Sequence, residues 1–381
     1  MQLLELRIKD LRCIHQAELH FAPGINLITG ANGAGKTSVI EALHLMGYGR
    51  SFRGRVRDGM IRSGATQCEV FIRWLEYRPG ERHAGLLHTG NTWQAKLNGE
   101  TTNSLTELCS EIPIVTFEPG SHELIGGGAE HRRRYLDWGL FHVEPEFVQQ
   151  WRRYARALKQ RNVLLKSQAV PSLLVPWERE MAICGETISR YRSQYLEQLD
   201  VELNDTVAKY LPELGRAQLN FMPGWKRAEL SLQDALTLSR PRDLQVGSTG
   251  VGPHRADWRV DYENHPNKET LSRGQEKLTA LACVMAQAES HARQKNEWPV
   301  VCMDDLASEL DIQHQEQVLS HLAASQAQVI LTATERPAIL EKQIQAQARF
   351  HVKHGQVVAI QAQLKTPKQS NPKAIPSQSK V

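Results

Sequence analysis

Gly30-Ala31-Asn32-Gly33-Ala34-Gly35-Lys36-Thr37 decides how the rest of this 381-residue chain is read. Its spacing is glycine, four residues, then Gly-Lys-Thr, the pattern of a loop that wraps a phosphate group. The flanks agree with it. Ile25-Asn26-Leu27-Ile28-Thr29 is short and apolar enough for a buried strand, and Ser38-Val39-Ile40-Glu41-Ala42-Leu43-His44-Leu45 repeats its apolar residues at helical spacing. Between strand and helix, glycines let backbone N–H groups turn inward, and the helix start adds a favourable dipole for an anion. In that arrangement Lys36 reaches the β- and γ-phosphates of a nucleotide, and Thr37 holds Mg²⁺ through its hydroxyl. The whole stretch from Gly30 to Ser38 is the expected nucleotide cradle.

A phosphate loop does chemistry only when acids manage the metal and the water. Val300-Val301-Cys302-Met303-Asp304-Asp305 reads as a buried strand delivering two carboxylates at its C-terminal end, the edge where ligands sit in α/β sheets. Asp304 is expected to hold Mg²⁺, directly or through water, and Asp305 to polarise the attacking water as a general base. A solvated strand end is the plain alternative. Lys36, Asp304 and Asp305 form the expected catalytic set, with Thr37 and Asp304 as metal ligands. Upstream, Leu271-Ser272-Arg273-Gly274-Gln275-Glu276-Lys277 precedes a helical repeat from Leu278 to Ala288. Alone it is an ordinary serine-capped helix start. Its order gives it weight: this motif, one helix, the acidic strand, then Ala307-Ser308-Glu309-Leu310-Asp311.

That order resembles the ABC-type ATPase head, whose signature motif completes the nucleotide site of a partner subunit. The resemblance implies that Ser272, Gly274 and Gln275 face a partner's nucleotide. Asn32 followed by Gly33 in the glycine loop is similar to the SMC-like branch of these ATPases. Gly49-Arg50-Ser51-Phe52-Arg53, Phe117-Glu118-Pro119, Arg132-Arg133-Arg134-Tyr135-Leu136-Asp137 and Gly252-Pro253-His254-Arg255-Ala256-Asp257 resemble the recombination-mediator family of that branch. The likeness spans residues 1 to about 360. It implies ATP with Mg²⁺ as cofactors, an ATP-dependent homodimer, and slow DNA-dependent hydrolysis used as a switch. It also implies binding to single-stranded and gapped DNA at duplex junctions in recombinational repair, replication and the SOS response. RecO and RecR are the implied protein partners, with loading of RecA as the outcome. An ABC-type subunit of a transporter or another motor is the alternative, and it would need an apolar coupling surface for a membrane partner. Three positions depart from the patterns. Thr332-Ala333-Thr334 stands where transporters carry a switch histidine, Asp305 where they carry glutamate, and Ala256 where the family usually has aspartate. The first two fit slow hydrolysis.

Working outward, residues 1–121 alternate short strand-like runs with one clear helix, and residues 122–246 change to long helical periodicity. Strands return over 247–362, and 363–381 holds hardly an apolar residue, so that tail is expected to be disordered. The expected fold is α/β: an ATPase head of mixed sheet and helices, split by an inserted helical lobe. Net charge is +4, and Lys365, Lys368, Lys373 and Lys380 account for all of it. Affinity for DNA must therefore come from local patches. No apolar run approaches a membrane span, and the start of the chain lacks the layout of an export signal, so a cytoplasmic protein off the membrane is expected. The six cysteines have no metal-binding spacing and read as free thiols.

Local basic features leave two readings each. Arg50, Arg53, Arg55, Arg57 and Arg62 sit among glycines, as a DNA-contacting loop or a solvated face. Arg152, Arg156 and Lys159 align on one helical face within Val148 to Trp177, a stretch without acid, as a phosphate-tracking stripe or an ordinary solvated helix. His254 and Arg255 follow a rigid Gly-Pro turn aimed at the nucleotide or at the lobe, and Arg12 is either near the phosphates or a solvated strand-end charge.

Overall fold

The computed structural model describes residues 1–54, 59–76, 80–102, 104–265, 271–342 and 344–360. Arg55, Arg57 and the tail from 363 lie outside the described residues. β1 (Gln2–Leu11) and β2 (Ile14–His20) form an antiparallel pair, β3 (Ile25–Thr29) leads into the glycine loop, and α1 (Lys36–Tyr48) leaves it. β4 (Cys68–Leu75), β5 (Glu81–His88), β6 (Trp93–Leu97) and β7 (Glu100–Thr101) follow, then α2 (Leu105–Ser110) and β8 (Ile114–Phe117). Next come α3 (Glu123–Gly126), α4 (Ala129–Val143), α5 (Phe147–Lys166), α6 (Pro171–Tyr210), β9 (Ala217–Met222) and α7 (Leu232–Val246). The chain continues through β10 (Asp257–Tyr262), α8 (Arg273–Lys295), β11 (Val300–Met303), α9 (Leu306–Glu309) and α10 (Ile312–Ala324). It closes with β12 (Val329–Ala333), α11 (Ala338–Lys342), β13 (Ala348–Lys353) and β14 (Gln356–Ala359).

The strands divide into two main sheets. One is antiparallel in the order β2-β1-β4-β5-β6-β7, and the other runs β14-β13-β3-β12-β11-β8, parallel apart from the β13–β14 pair. Helices cover both faces of the parallel sheet, which explains its unbroken apolar strands. Alternate side chains serve opposite cores. Ile28, Val300, Cys302 and Ile330 face α1, which is buried along most of its length between the two sheets. Leu27, Val301, Met303 and Leu331 face the other way, into the cluster containing α6 and α8. Cys302 is thus a small buried hydrophobe, and all six cysteines are free.

The helical segment packs on this second face and shares its apolar cluster. α5 and α6 form an antiparallel hairpin, pinned at its end to α7 by the fully buried Arg161. That guanidinium bonds Glu178, Asp243 and the Thr249 hydroxyl at 2.8–3.2 Å, so it does not belong to the solvent-facing basic series of α5. β9, in the midst of the helical stretch, is a strand that the helical periodicity does not predict, and it pairs antiparallel with β10. Among the described residues no helix is long and apolar enough to cross a membrane.

Candidate nucleotide site and the partner-facing motif

The glycine loop sits at the C-terminal end of β3, beside the ends of β12 and β11. Gly30, Gly33 and Gly35 have φ values of 156°, 75° and 119°, in the region that favours glycine. At Gly30 the cause is a close approach: a Cβ there would lie 2.3 Å from the Val352 carbonyl oxygen of β13. Ala31, Asn32 and Gly33 are exposed, so the outer rim of the loop faces solvent. Ala34, Gly35 and Ser38 are buried beneath it; the Ser38 N–H bonds the Gly35 carbonyl at 3.1 Å, and its hydroxyl lies 3.9 Å from Cys13 Sγ. Lys36 folds across its own loop, donating to the carbonyls of Gly30 at 2.9 Å and Ala31 at 3.2 Å.

Thr37 meets Asp304 although 267 residues separate them: its hydroxyl donates to Oδ1 at 3.2 Å. The Thr332 hydroxyl donates to the same oxygen at 2.6 Å and accepts from the Asp305 N–H at 2.9 Å. One threonine therefore fixes both members of the acidic pair. Burial raises the Asp304 carboxyl above its ordinary pKa, while the hydroxyls of Thr332 and Thr37 pull it back. Asp305 caps α9 in a left-handed conformation, φ 48° and ψ 49°, so that turn sends the two neighbouring carboxylates in different directions. The oxygen donors of Thr37 and Asp304 suit a hard cation such as Mg²⁺, and the open glycine loop with its lysine suits a polyphosphate.

Two further acids belong to this corner: Glu118, from the family-like motif Phe117-Glu118-Pro119, and Glu41, which the sequence reading placed only within a helix. Glu118 follows β8, whose Phe117 pairs with Met303, and its carboxylate accepts from the Gly120 N–H at 2.6 Å. Burial, with Asp304 nearby, pushes its pKa up to about 7. Glu41, fully buried on α1, receives Arg12 at 2.7–3.2 Å, so Arg12 braces that helix and is not a solvated strand end. A charged residue in an apolar helix was the available signal for Glu41. For Thr332 it was a hydroxyl in an apolar strand.

Ser272, Gly274 and Gln275 lie at the start of α8 and do not join this constellation through their side chains. The Ser272 hydroxyl accepts from the Gln275 N–H at 3.3 Å, and the Gln275 side-chain oxygen accepts from the Ser272 N–H at 2.9 Å. That reciprocal capping box satisfies the helix start locally, while Ser272, Arg273 and Gly274 remain exposed. Three residues on, Lys277 pairs with Glu309 at 2.9 Å and ties the start of α8 to the turn after Asp305.

The remaining motifs bind one another. Arg132 forks onto Asp257 at 2.6 and 3.1 Å, and Arg133 donates to the Ala256 carbonyl at 2.8 Å. At position 256 the backbone thus makes the contact. His254 bonds the Tyr154 hydroxyl at 2.8 Å and the Thr249 carbonyl at 3.0 Å, which places the Gly-Pro turn against the lobe. Burial lowers its pKa to about 4. In the arginine loop, Arg62 is paired to Asp10 at 2.7 Å and Arg53 lies 3.9 Å from Glu41. Arg152, Arg156 and Lys159 are exposed on α5, with Arg152 donating to the Ser104 hydroxyl at 2.6 Å.

Residues 2–357 match the family described as RecF/RecN/SMC N terminal domain. The chain is 54% identical over 364 residues to the DNA replication and repair protein RecF of Stenotrophomonas maltophilia, covering 94% of this chain and all of that one. It is 35% identical to the protein of the same name from Shewanella oneidensis, over 95% of this chain and all of that one. Among solved structures, the recombination mediator protein RecF-ATP of the RecFOR pathway superimposes with a TM-score of 0.84 at 26% identity, covering 94% of this chain and 98% of that chain. An Smc head bound to the C-winged helix domain of ScpA shares the fold, with a TM-score of 0.57 at 18% identity, covering 95% and 98% of the two chains. A phosphate loop and acidic strand built on an ABC-type head, and relatives matched along nearly their whole length, lead to one assignment: this chain belongs to the RecF family.

Proposed function

We propose that the chain is an ATP-operated DNA-binding switch of recombinational repair and replication, closing as a homodimer on single-strand gaps and their duplex edges. The observation that carries this reading is the convergence of Thr37, Asp304 and Thr332 beside the glycine loop, while Ser272 and Gly274 point outward. One half of a nucleotide site is built within the chain, and the other half is offered to a second copy.

Bound ATP with Mg²⁺ supplies a cleavable phosphoanhydride and a polyanion that both copies can grip. Lys36 would exchange its contacts with Gly30 and Ala31 for the terminal phosphates, and the loop from Gly30 to Ser38 would wrap the chain of phosphates. Thr37 and Asp304 hold the cation, and Thr332 keeps Asp304 oriented. Asp305 acts as base toward the attacking water; its short side chain at a left-handed turn suits slow turnover. The N-terminus of α8, with Ser272, Gly274 and Gln275, faces the other copy's phosphates. Association with RecR and RecO, in support of RecA loading, is part of the same proposal, supported by the likeness to a recombination mediator of the RecFOR pathway. The exposed Arg152, Arg156 and Lys159 of α5 are the favoured DNA-facing residues.

Retention on gapped DNA and on intact duplex, with and without ATP at one stated salt concentration, tests the proposal. Expected is ATP-dependent retention that favours the gap. Equal retention on both substrates, indifferent to ATP, would sink it.

A further inference from the structure

At the far end of the helical hairpin, two helices present a surface in which apolar and basic residues alternate. On α5, Val163 and Lys166 are exposed three residues apart on one face, beyond the end of the Arg152, Arg156 and Lys159 series. On α7, Leu238, Arg242 and Val246 recur every fourth residue, also exposed. The two faces are contiguous. Asn162 accepts from the Thr249 N–H at 2.9 Å, Gln168 donates to the Leu244 carbonyl at 2.7 Å, and a Cβ at Gly247 would lie 3.3 Å from Lys166 Cγ. Val163 is 54% exposed, Leu238 67% and Val246 66%.

Among the described residues cations outnumber acids here. Residues 148–177 hold no acid; on α7 Asp234 lies one turn before Leu238 and accepts from the Ser231 hydroxyl, and between 235 and 255 the one acid is Asp243, which is buried and bonded by Arg161, Ser239 and the Gly250 N–H. A cavity of about 350 Å³ opens here, with Val246 and Val251 as its apolar lining and Arg242 and Arg255 as its exposed cations. It has room for one large apolar side chain beside a carboxylate.

We propose that this surface docks an acidic peptide segment of a partner protein, one that interleaves carboxylates with large apolar side chains. Charge complementarity selects the occupant. Bare valine and leucine contribute nothing to a phosphate backbone, whose contacts are cationic and polar, so a nucleic acid would leave the apolar half of the surface unused. The chain's own tail does not fit either, because Lys365, Lys368, Lys373 and Lys380 would meet like charge.

The test uses the full-length protein and a fluorescein-labelled decapeptide alternating aspartate with leucine, read by anisotropy at low salt. Matched probes replace aspartate by lysine, or leucine by serine, and a labelled oligothymidylate serves as the nucleic acid arm. Saturable binding of the aspartate–leucine peptide alone is expected, weakened about tenfold by either Val246→Ser or Arg242→Ser. These exposed positions lie outside the nucleotide site, so ATP binding in both variants should match the parent. Absence of saturable binding at millimolar peptide overturns the proposal, as does binding insensitive to Val246→Ser. Oligothymidylate binding that falls with Arg242→Ser but ignores Val246→Ser assigns the surface to nucleic acid and overturns it. So does a nucleotide-free dimer that Val246→Ser dissolves, since the occupant would then be a second copy.

Discussion

The two halves of the nucleotide machinery are held in opposite ways. Around the glycine loop, side chains from α1, β11 and β12 cross-link buried positions hundreds of residues apart: Thr37 to Asp304, and Thr332 to both Asp304 and Asp305. At the start of α8 the bonds of Ser272 and Gln275 are to each other, and the motif is exposed. One half is fixed by the fold. The other is satisfied locally and left exposed, as the proposed contact with a second copy requires.

The strongest way to break this contrast is Lys36→Met. It removes the single cation buried in the loop, so ATP-dependent association and hydrolysis should fall by about 10²–10³-fold with the fold intact. Turnover like the parent's would remove the assignment. Among the acids, Asp305→Asn should cut hydrolysis about 100-fold and trap the ATP-bound dimer, whereas Asp304→Asn should also weaken Mg²⁺-dependent nucleotide binding. Equal loss of nucleotide affinity in both, by titration, rejects that division of roles. On the exposed half, Ser272→Arg should leave monomer nucleotide affinity within about twofold of the parent yet block ATP-driven dimers, because the new side chain meets the other copy's phosphate loop. Sedimentation with ATP showing a full dimer would count against a shared site.

Smaller effects sharpen the buried half. Thr332→Val keeps the shape but leaves the Asp305 N–H without its acceptor and takes from Asp304 Oδ1 the shorter of its two hydroxyl donors, which should cost about 1–3 kcal/mol in denaturant melts. Curves superimposable on the parent would deny Thr332 its bridging role. Glu118 has its pKa raised from the model-peptide value of 4.5 to about 7, so the folded state holds its proton longer than the unfolded one. Its stabilising effect is full below pH 4.5 and is lost as pH rises toward 7. Without nucleotide or divalent cation, Glu118→Gln should therefore gain on the parent across that window, by about 2 kcal/mol after allowing for partial exposure. Parallel stability curves for the two proteins would place that carboxylate in ordinary solvent.

How much of this was legible follows from what a sequence encodes. β3 and β11 have the expected bounds because each is a short apolar run set off by its flanks. The order of glycine loop, serine-capped helix and acidic strand carried the fold, since order survives without coordinates. β8 is four buried residues, as β11 is, but it lacks the acid pair that marks the end of β11 and the glycine loop that follows β3. β9 hid between two long helices, with a partner strand whose first residue is 257. Register explains the rest. Nothing local says that Glu118 ends beside Asp304, that Arg12 would find Glu41, or that Arg161 turns inward while Lys159 turns out.

Gly30 lies against the Val352 carbonyl, and the Gly355 N–H bonds the Ala34 carbonyl at 2.9 Å. β3 itself is flanked by β12 and β13, both made from the last stretch of the chain. The glycine loop therefore leaves a ribosome well before the strands that hold it in shape. A chain still in synthesis carries the phosphate loop without its walls until β12, β13 and β14 have been made.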